Sequence, residues 1–176
     1  EFAGFFAALG TRVTVIEMLP HLVAVEDEEI SQTLERELKK RRIEIVTGTK
    51  LEDRREGPDG AVVLTLSGGK TIEVDTVLVA TGRKPYTAGL GAAELGIALD
   101  ARGAVRVDER LQTTMPGCFA IGDVTDRKQL AHYASAQGKA AVEIIAGHAA
   151  QTDWHAVPAA TYAVFPSSVT SLIFSD

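Results

Sequence analysis

Three side chains stand where their chemistry could act on a ligand: Asp123, His132 and Glu17. Asp123 follows Gly122 at the end of the apolar run Cys118-Phe119-Ala120-Ile121, itself preceded by the turn Met115-Pro116-Gly117. A buried strand that delivers Gly-Asp to its carboxyl end, opposite a helix amino terminus, is how open α/β sheets hold a ligand. The same pair also makes plain turns, so the motif does not decide alone. A carboxylate there accepts hydrogen bonds from the hydroxyls of a ribose or ribityl chain. Beyond a polar loop an alanine-rich helix begins near Leu130, Ala131 and His132. Exposed N–H groups around Lys128 to His132 could carry partial negative charge on a reduced ring. His132, at a helix amino terminus, favours a neutral hydrogen-bonding imidazole over a charged one. An ordinary amphipathic-helix histidine is the alternative. A polyol beside an electron-accepting ring fits a flavin.

Glu17 closes a different element. Phe2, Phe5, Phe6 and Leu9 recur at helical spacing and predict a helix with that apolar face, ended by Gly10. Arg12 to Glu17 then reads as a strand ending in a carboxylate. Helix, glycine, strand and terminal Glu form the second half of a dinucleotide-binding βαβ unit, with Glu17 on ribose hydroxyls or simply a solvated strand end.

The remaining elements must position these groups. A helix is expected over Asp27–Arg42, with Ile30, Leu34 and Leu38 on one face and acids in its first turn. Ile43–Val46 is the next strand. Ala61–Leu66 lies between turns at Gly57–Gly60 and Gly68-Gly69, and Ile72 and Val74 continue a meander. Thr76–Gly82 reads as a strand buried on both faces, closing a unit near Tyr86. Gly89–Gly96 is loop-like, and Ile97–Leu99 with Val105–Val107 flank the hairpin signal Asp100–Gly103. Trp154 could mark a cofactor contact, but a linker tryptophan packed on the surface is the commoner case.

Composition narrows the classes. A net charge of −6 and no basic run longer than Lys39-Lys40-Arg41-Arg42 argue against non-specific nucleic-acid binding. No apolar run approaches the roughly 20 residues of a membrane span, and the start lacks a signal-peptide n-region. The single cysteine, Cys118, excludes an internal disulfide, fits a reducing, cytoplasmic setting and is expected to be a buried, inert thiol. His21, His132, His148 and His155 are scattered without a cysteine pair, so no metal site is expected and no catalytic residue is assigned. Both ends read as cut, which suggests a piece of a larger protein.

Four runs carry a resemblance: Val13–Glu17, Val77–Pro85, Thr114–Asp123 and Leu130–Gly138. In this order and spacing they resemble the class I pyridine nucleotide-disulfide oxidoreductases over about residues 1 to 164. Leu130-Ala131-His132 is most similar to the dihydrolipoamide dehydrogenase branch, with mercuric and other flavin reductases close behind. The resemblance implies an α/β, Rossmann-like fold with a β-meander and the cofactors FAD and NAD. It divides the chain into an NAD-binding domain lacking its first strand and Gly-rich loop (1–86), the second segment of an FAD domain (87–148) and the start of an interface domain (149–176). Glu1 resembles the residue closing the NAD fingerprint, Glu17 the ribose-binding acid and Leu51 an adenine contact. Ala80, Gly82 and Arg83 are similar to the crossover near the nicotinamide. Gly122 and Asp123 match the ribityl contact, and Leu130, Ala131 and His132 the helix start facing the flavin ring. Such an enzyme would be a homodimer oxidising a lipoyl dithiol with NAD, in some cases within a 2-oxoacid dehydrogenase complex.

The departures are the missing amino-terminal FAD half with its redox disulfide, the missing phosphate turn, and the missing interface domain with its catalytic His-Glu pair. Lys128 stands where a proline is common. After Phe165 the similarity ends at Pro166-Ser167, and the tail is expected to be foreign or out of frame. The isolated piece is expected to be inactive, and a simple binding module is the competing reading.

Overall fold

A computed structural model describes residues 1–125, 127–150, 153, 154 and 157. It divides into two compact units, Glu1–Val79 and Ala80–Val157. The expected tail from Pro166 lies outside the described residues.

The first unit opens with helix α1 (Phe2–Ala8), strand β1 (Thr14–Ile16), helix α2 (Glu28–Lys40) and strand β2 (Glu44–Val46). β1 and β2 run parallel, pairing Thr14 with Glu44, Val15 with Ile45 and Ile16 with Val46. Parallel neighbours need a long crossover, and α2 supplies it. Its start follows from sequence: the Asp27 carboxylate accepts from Glu29 N–H at 2.8 Å, with Glu28 and Glu29 in the first turn. Its end is a Schellman motif, in which Ile43 N–H reaches Leu38 O at 3.2 Å and Arg42 N–H reaches Lys39 O at 2.9 Å. Arg42 occupies the left-handed position, φ 62°, where glycine is usual.

The core of this layer is Leu22, Leu38 and Ile43, with Ala3, Ala7, Val13, Val15, Leu34 and Ile45 against it. That corrects the face expected for α1. Phe2, Phe5, Phe6 and Leu9 are 59%, 50%, 39% and 68% exposed, and the buried side is Ala3, Gly4 and Ala7. Small residues let the helix backbone come close to the core, whereas the rings gather on the outer side, Phe5 edge-on to Phe6 at 5.4 Å.

A three-stranded antiparallel meander follows: β3 (Leu51–Glu56), β4 (Val62–Leu66) and β5 (Thr71–Val74). Val63, Leu64 and Leu66 of β4 are buried, while every residue of β3 is exposed. The strand expected at Thr76–Gly82 is absent among the described residues. Leu78 and Val79 are 56% and 73% exposed, and no strand pairs with them. A central parallel strand forms only between partners that satisfy its backbone, and the described strands supply none.

Among its described residues the second unit contains one long helix, α3 (Ala131–Ile145), and is otherwise built of turns and short bridges. The hairpin at Asp100–Gly103 forms, with Leu99 bridging Val105 and Arg106 N–H on Ala98 O at 2.9 Å. Its turn is capped by Asp100, whose carboxylate accepts from Arg102 and Ala104 N–H at 2.8 and 2.9 Å. These bonds, Ala104 foremost, hold the Asp100 carboxyl below its usual range, with desolvation opposing. The core is Leu111, Ala140 and Ala141, with Phe119, Ala150 and Trp154 packed on it. Trp154 also donates to Glu109 O at 3.2 Å and lies 5.9 Å from the Tyr133 ring.

The strand expected at Cys118–Ile121 is reduced to one antiparallel bridge, Gln112 to Phe119. Cys118 is only half-buried and Ile121 is exposed, because no described strand covers the run. The preceding turn is as expected: Cys118 N–H reaches Met115 O at 3.1 Å across Pro116 and Gly117, φ 76°, a type II arrangement. No helix among the described residues is long and apolar enough to cross a membrane.

Candidate functional site

Each unit presents one carboxylate at the end of an apolar run. In the first unit Glu17 continues β1: its N–H bonds Val46 O at 2.9 Å, and its carbonyl accepts Thr49 N–H at 3.0 Å. The Glu17 carboxylate folds back on Leu19 N–H at 2.8 Å, which fixes its direction as the chain leaves the sheet. Leu51, two residues beyond Thr49, opens β3 beside a bulge and is exposed. Glu1 is the exposed residue preceding α1, and no side chain caps that helix.

In the second unit Gly122–Thr125 forms a short 3-10 turn against α3. Gly122 adopts φ 72°, and a Cβ there would come within 3.3 Å of the Ala134 Cβ, so both conformation and space call for glycine. Its N–H donates to Gln137 Oε1 at 2.7 Å, and its carbonyl accepts Thr125 Oγ1 at 2.8 Å. Val124 O in turn accepts Val105 N–H at 2.8 Å, tying the turn to the hairpin.

Asp123 projects from this clamped turn with its side chain 44% exposed, and Arg83 Nε approaches Asp123 Oδ2 at 3.2 Å. With the Arg83 side chain 75% exposed, the pair is worth roughly 0–1 kcal/mol and yields readily to a ligand. Ala80 and Gly82, flanking this arginine, are exposed, and Gly82 adopts φ 107°. The structure therefore brings Arg83 and Asp123 together, although sequence spacing separates them.

Leu130 is the extended residue before α3, and its own side chain offers the helix no capping oxygen. The first turn contains no acidic residue, so the positive end of the helix dipole there favours an acceptor or partial negative charge. His132 is half-buried in that first turn. The site thus combines an accessible carboxylate with a positive helix end on one unit. The residue missed by sequence reasoning is Gln137, whose signal was its place on the buried stripe Tyr133, Gln137, Ala140 and Ala141 of an otherwise small-residue face.

Comparison with known proteins gives this arrangement its kin. A profile described as pyridine nucleotide-disulphide oxidoreductase matches residues 1–138. The chain is 37% identical over 164 residues to dihydrolipoyl dehydrogenase of Geobacillus stearothermophilus, covering 92% of this chain and 35% of that protein. It is 39% identical over 168 residues to the mitochondrial human dihydrolipoyl dehydrogenase, covering 92% and 33%. Among solved structures, LpdA from Mycobacterium tuberculosis superposes with a TM-score of 0.84 at 27% identity, over 93% of this chain and 36% of that one. The HOCl-induced flavoprotein disulfide reductase RclA of Escherichia coli gives 0.80 at 28% identity, over 90% and 37%. The chain spans about a third of the length of the curated relatives it matches. With the profile covering most of its length and both carboxylates, Glu17 and Asp123, inside that match, the chain belongs to the pyridine nucleotide-disulphide oxidoreductase family.

Proposed function

We propose that this chain carries part of the cofactor surface of an FAD-dependent oxidoreductase that oxidises a dihydrolipoyl dithiol with NAD as hydride acceptor. The observation that carries this reading is Asp123, an accessible carboxylate on a clamped Gly122 turn, together with the start of α3, whose first turn holds no acidic residue. The residues present fit a flavin in chemistry: a carboxylate accepts ribityl hydroxyls, and helix N–H groups donate to a ring carbonyl. When bound, the flavin supplies electron transfer between the nicotinamide and a dithiol.

On this reading residues 1–86 form the NAD-binding part, 87–148 the second FAD segment and 149–176 the start of an interface segment. Glu17 receives the adenosine ribose hydroxyls, Leu51 lies against the adenine and Glu1 closes the phosphate turn. Ala80, Gly82 and Arg83 border the nicotinamide, with Arg83 yielding Asp123 to the ribityl chain. Leu130, Ala131 and His132 border the ring. The full protein would work in a reducing, cytoplasmic setting as a homodimer on lipoyl groups, including those of 2-oxoacid dehydrogenase complexes. The likeness to RclA favours one second reading, a flavin reductase with a different acceptor.

The test is flavin content and turnover of the purified full-length protein. Stoichiometric flavin absorbance, and NADH formation from dihydrolipoamide, are expected. Asp123→Ala should lower flavin retention about tenfold or more, as for a lost charge-assisted hydrogen bond. Protein that retains flavin equally well without the Asp123 carboxylate would overturn the assignment, and dye reduction without dihydrolipoamide turnover would favour the second reading.

A further inference from the structure

We propose that Gln137 is a positioning residue for Asp123, a role that rests on the flavin reading above. Gln137 lies in the second turn of α3 and has no solvent exposure. Polar side chains are seldom fully buried without hydrogen-bonding work to do. Its Oε1 accepts Gly122 N–H at 2.7 Å, while its Nε2 is buried with no partner among the described residues. Because the Gly122 amide can only donate, the oxygen must face it, so the orientation of the carboxamide is fixed by the bond. A leucine would fill the space without an orphaned donor, so what the glutamine contributes is the acceptor.

That acceptor completes a three-sided grip on one residue. Gly122 is held at its N–H by Gln137 and at its carbonyl by Thr125, and Ala134 stands on the third side, where a Cβ would meet it. Two of these three sides come from α3, whose start would border the ring. Asp123 is the next residue, and its side chain takes no part in the grip. Without the glutamine oxygen, the Gly122 amide would be buried and unpaired, and the turn would have to rotate to reach water. The carboxylate direction is therefore set from inside the helix. Pre-positioned in this way, it loses less freedom when a polyol binds.

The experiment is a double-mutant cycle on the full-length protein, read by FAD dissociation constant and by exchange of the Gly122 amide without flavin. Gln137→Leu should raise the FAD dissociation constant about tenfold, the equivalent of one hydrogen bond. In an Asp123→Ala background the same change should have less than about a twofold effect, because its route is gone. Gln137→Glu keeps the acceptor oxygen and should restore affinity to within about threefold, with slow Gly122 exchange; Gln137→Leu exchanges fast. Equal effects of Gln137→Leu with and without Asp123 would overturn the proposal in favour of general loosening. An Asp123→Ala protein with unchanged affinity would instead overturn the flavin reading, and the exchange rates would still report whether Gln137 sets the turn. Gln137→Glu guards against a leucine variant that fails to fold.

Discussion

The two units hold a carboxylate by different means. In Glu1–Val79 the Glu17 backbone extends a parallel ladder, so its position follows from β1, β2 and the α2 crossover. In Ala80–Val157 the Asp123 backbone belongs to no strand, and named side chains do the holding: Gln137, Thr125, and Asp100 and Asp108 at neighbouring turns. A ladder spreads its stabilisation over many backbone bonds, each replaceable by its neighbours. A turn held by single side chains concentrates it. Single substitutions should therefore disturb the second unit's site more than the first unit's.

The largest expected effect tests the packing beneath that difference. Leu111→Ala should cost about 2–5 kcal/mol, the range for truncating a buried leucine, since Leu111 is fully buried against Ala140 and Ala141. The sole tryptophan, Trp154, packs on the same cluster, so its native emission should shift as well. Leu66→Ala, equally buried in β4, should lower stability in the same range while leaving that emission maximum unchanged. A Trp154 spectrum indifferent to Leu111→Ala would break the comparison. Next comes Ser31→Ala in the first unit. Its buried hydroxyl donates to Leu22 O at 2.6 Å, and its loss should cost about 1–2 kcal/mol in chemical denaturation. Glu17 should be undisturbed, because its ladder bonds do not pass through Ser31.

How much of this could be read from the sequence varies with how strongly local chemistry dictates structure. α2 was legible because its acidic first turn and four-residue apolar spacing agree, and the structure places the helix at Glu28–Lys40 with Asp27 as its cap. The Asp100 hairpin was legible for the same reason. α1 was legible as a helix but not in its orientation, since periodicity groups apolar residues without saying that alanine and glycine will face the core. β3 escaped notice because Leu51–Glu56 is charged and exposed on both faces, leaving no alternation to detect. The run Thr76–Gly82 looked like a strand on composition, yet strands need partners that composition does not provide. The Gly122-Asp123 pair, by contrast, was visible as a motif, but its grip by Gln137 was not, because that bond joins residues fifteen apart.

A smaller effect tests backbone strain in the first unit. Arg42 sits exposed at φ 62° in the Schellman position after α2, where a side chain costs about 1 kcal/mol relative to glycine. Arg42→Gly should therefore raise stability by up to about 1 kcal/mol, seen as a higher melting temperature. No change would mean that the arginine makes compensating contacts at the helix end.

The smallest expected effect concerns pH in the second unit. The Asp100 carboxyl is held below its ordinary value of 3.8, chiefly by the Ala104 N–H. A depressed carboxylate stabilises the fold above its unfolded pKa, and that contribution disappears as pH falls through the lower folded value. The hairpin around Asp100–Gly103 should thus be unaffected near neutrality and loosen only in strong acid, read from the amide shifts of Arg102 and Ala104. Asp100→Asn keeps an oxygen acceptor for both amides but cannot titrate, so the shifts should then stay flat through the same acid range. If they move as in the parent, the acid response arises elsewhere, and side-chain capping is not what makes this unit sensitive.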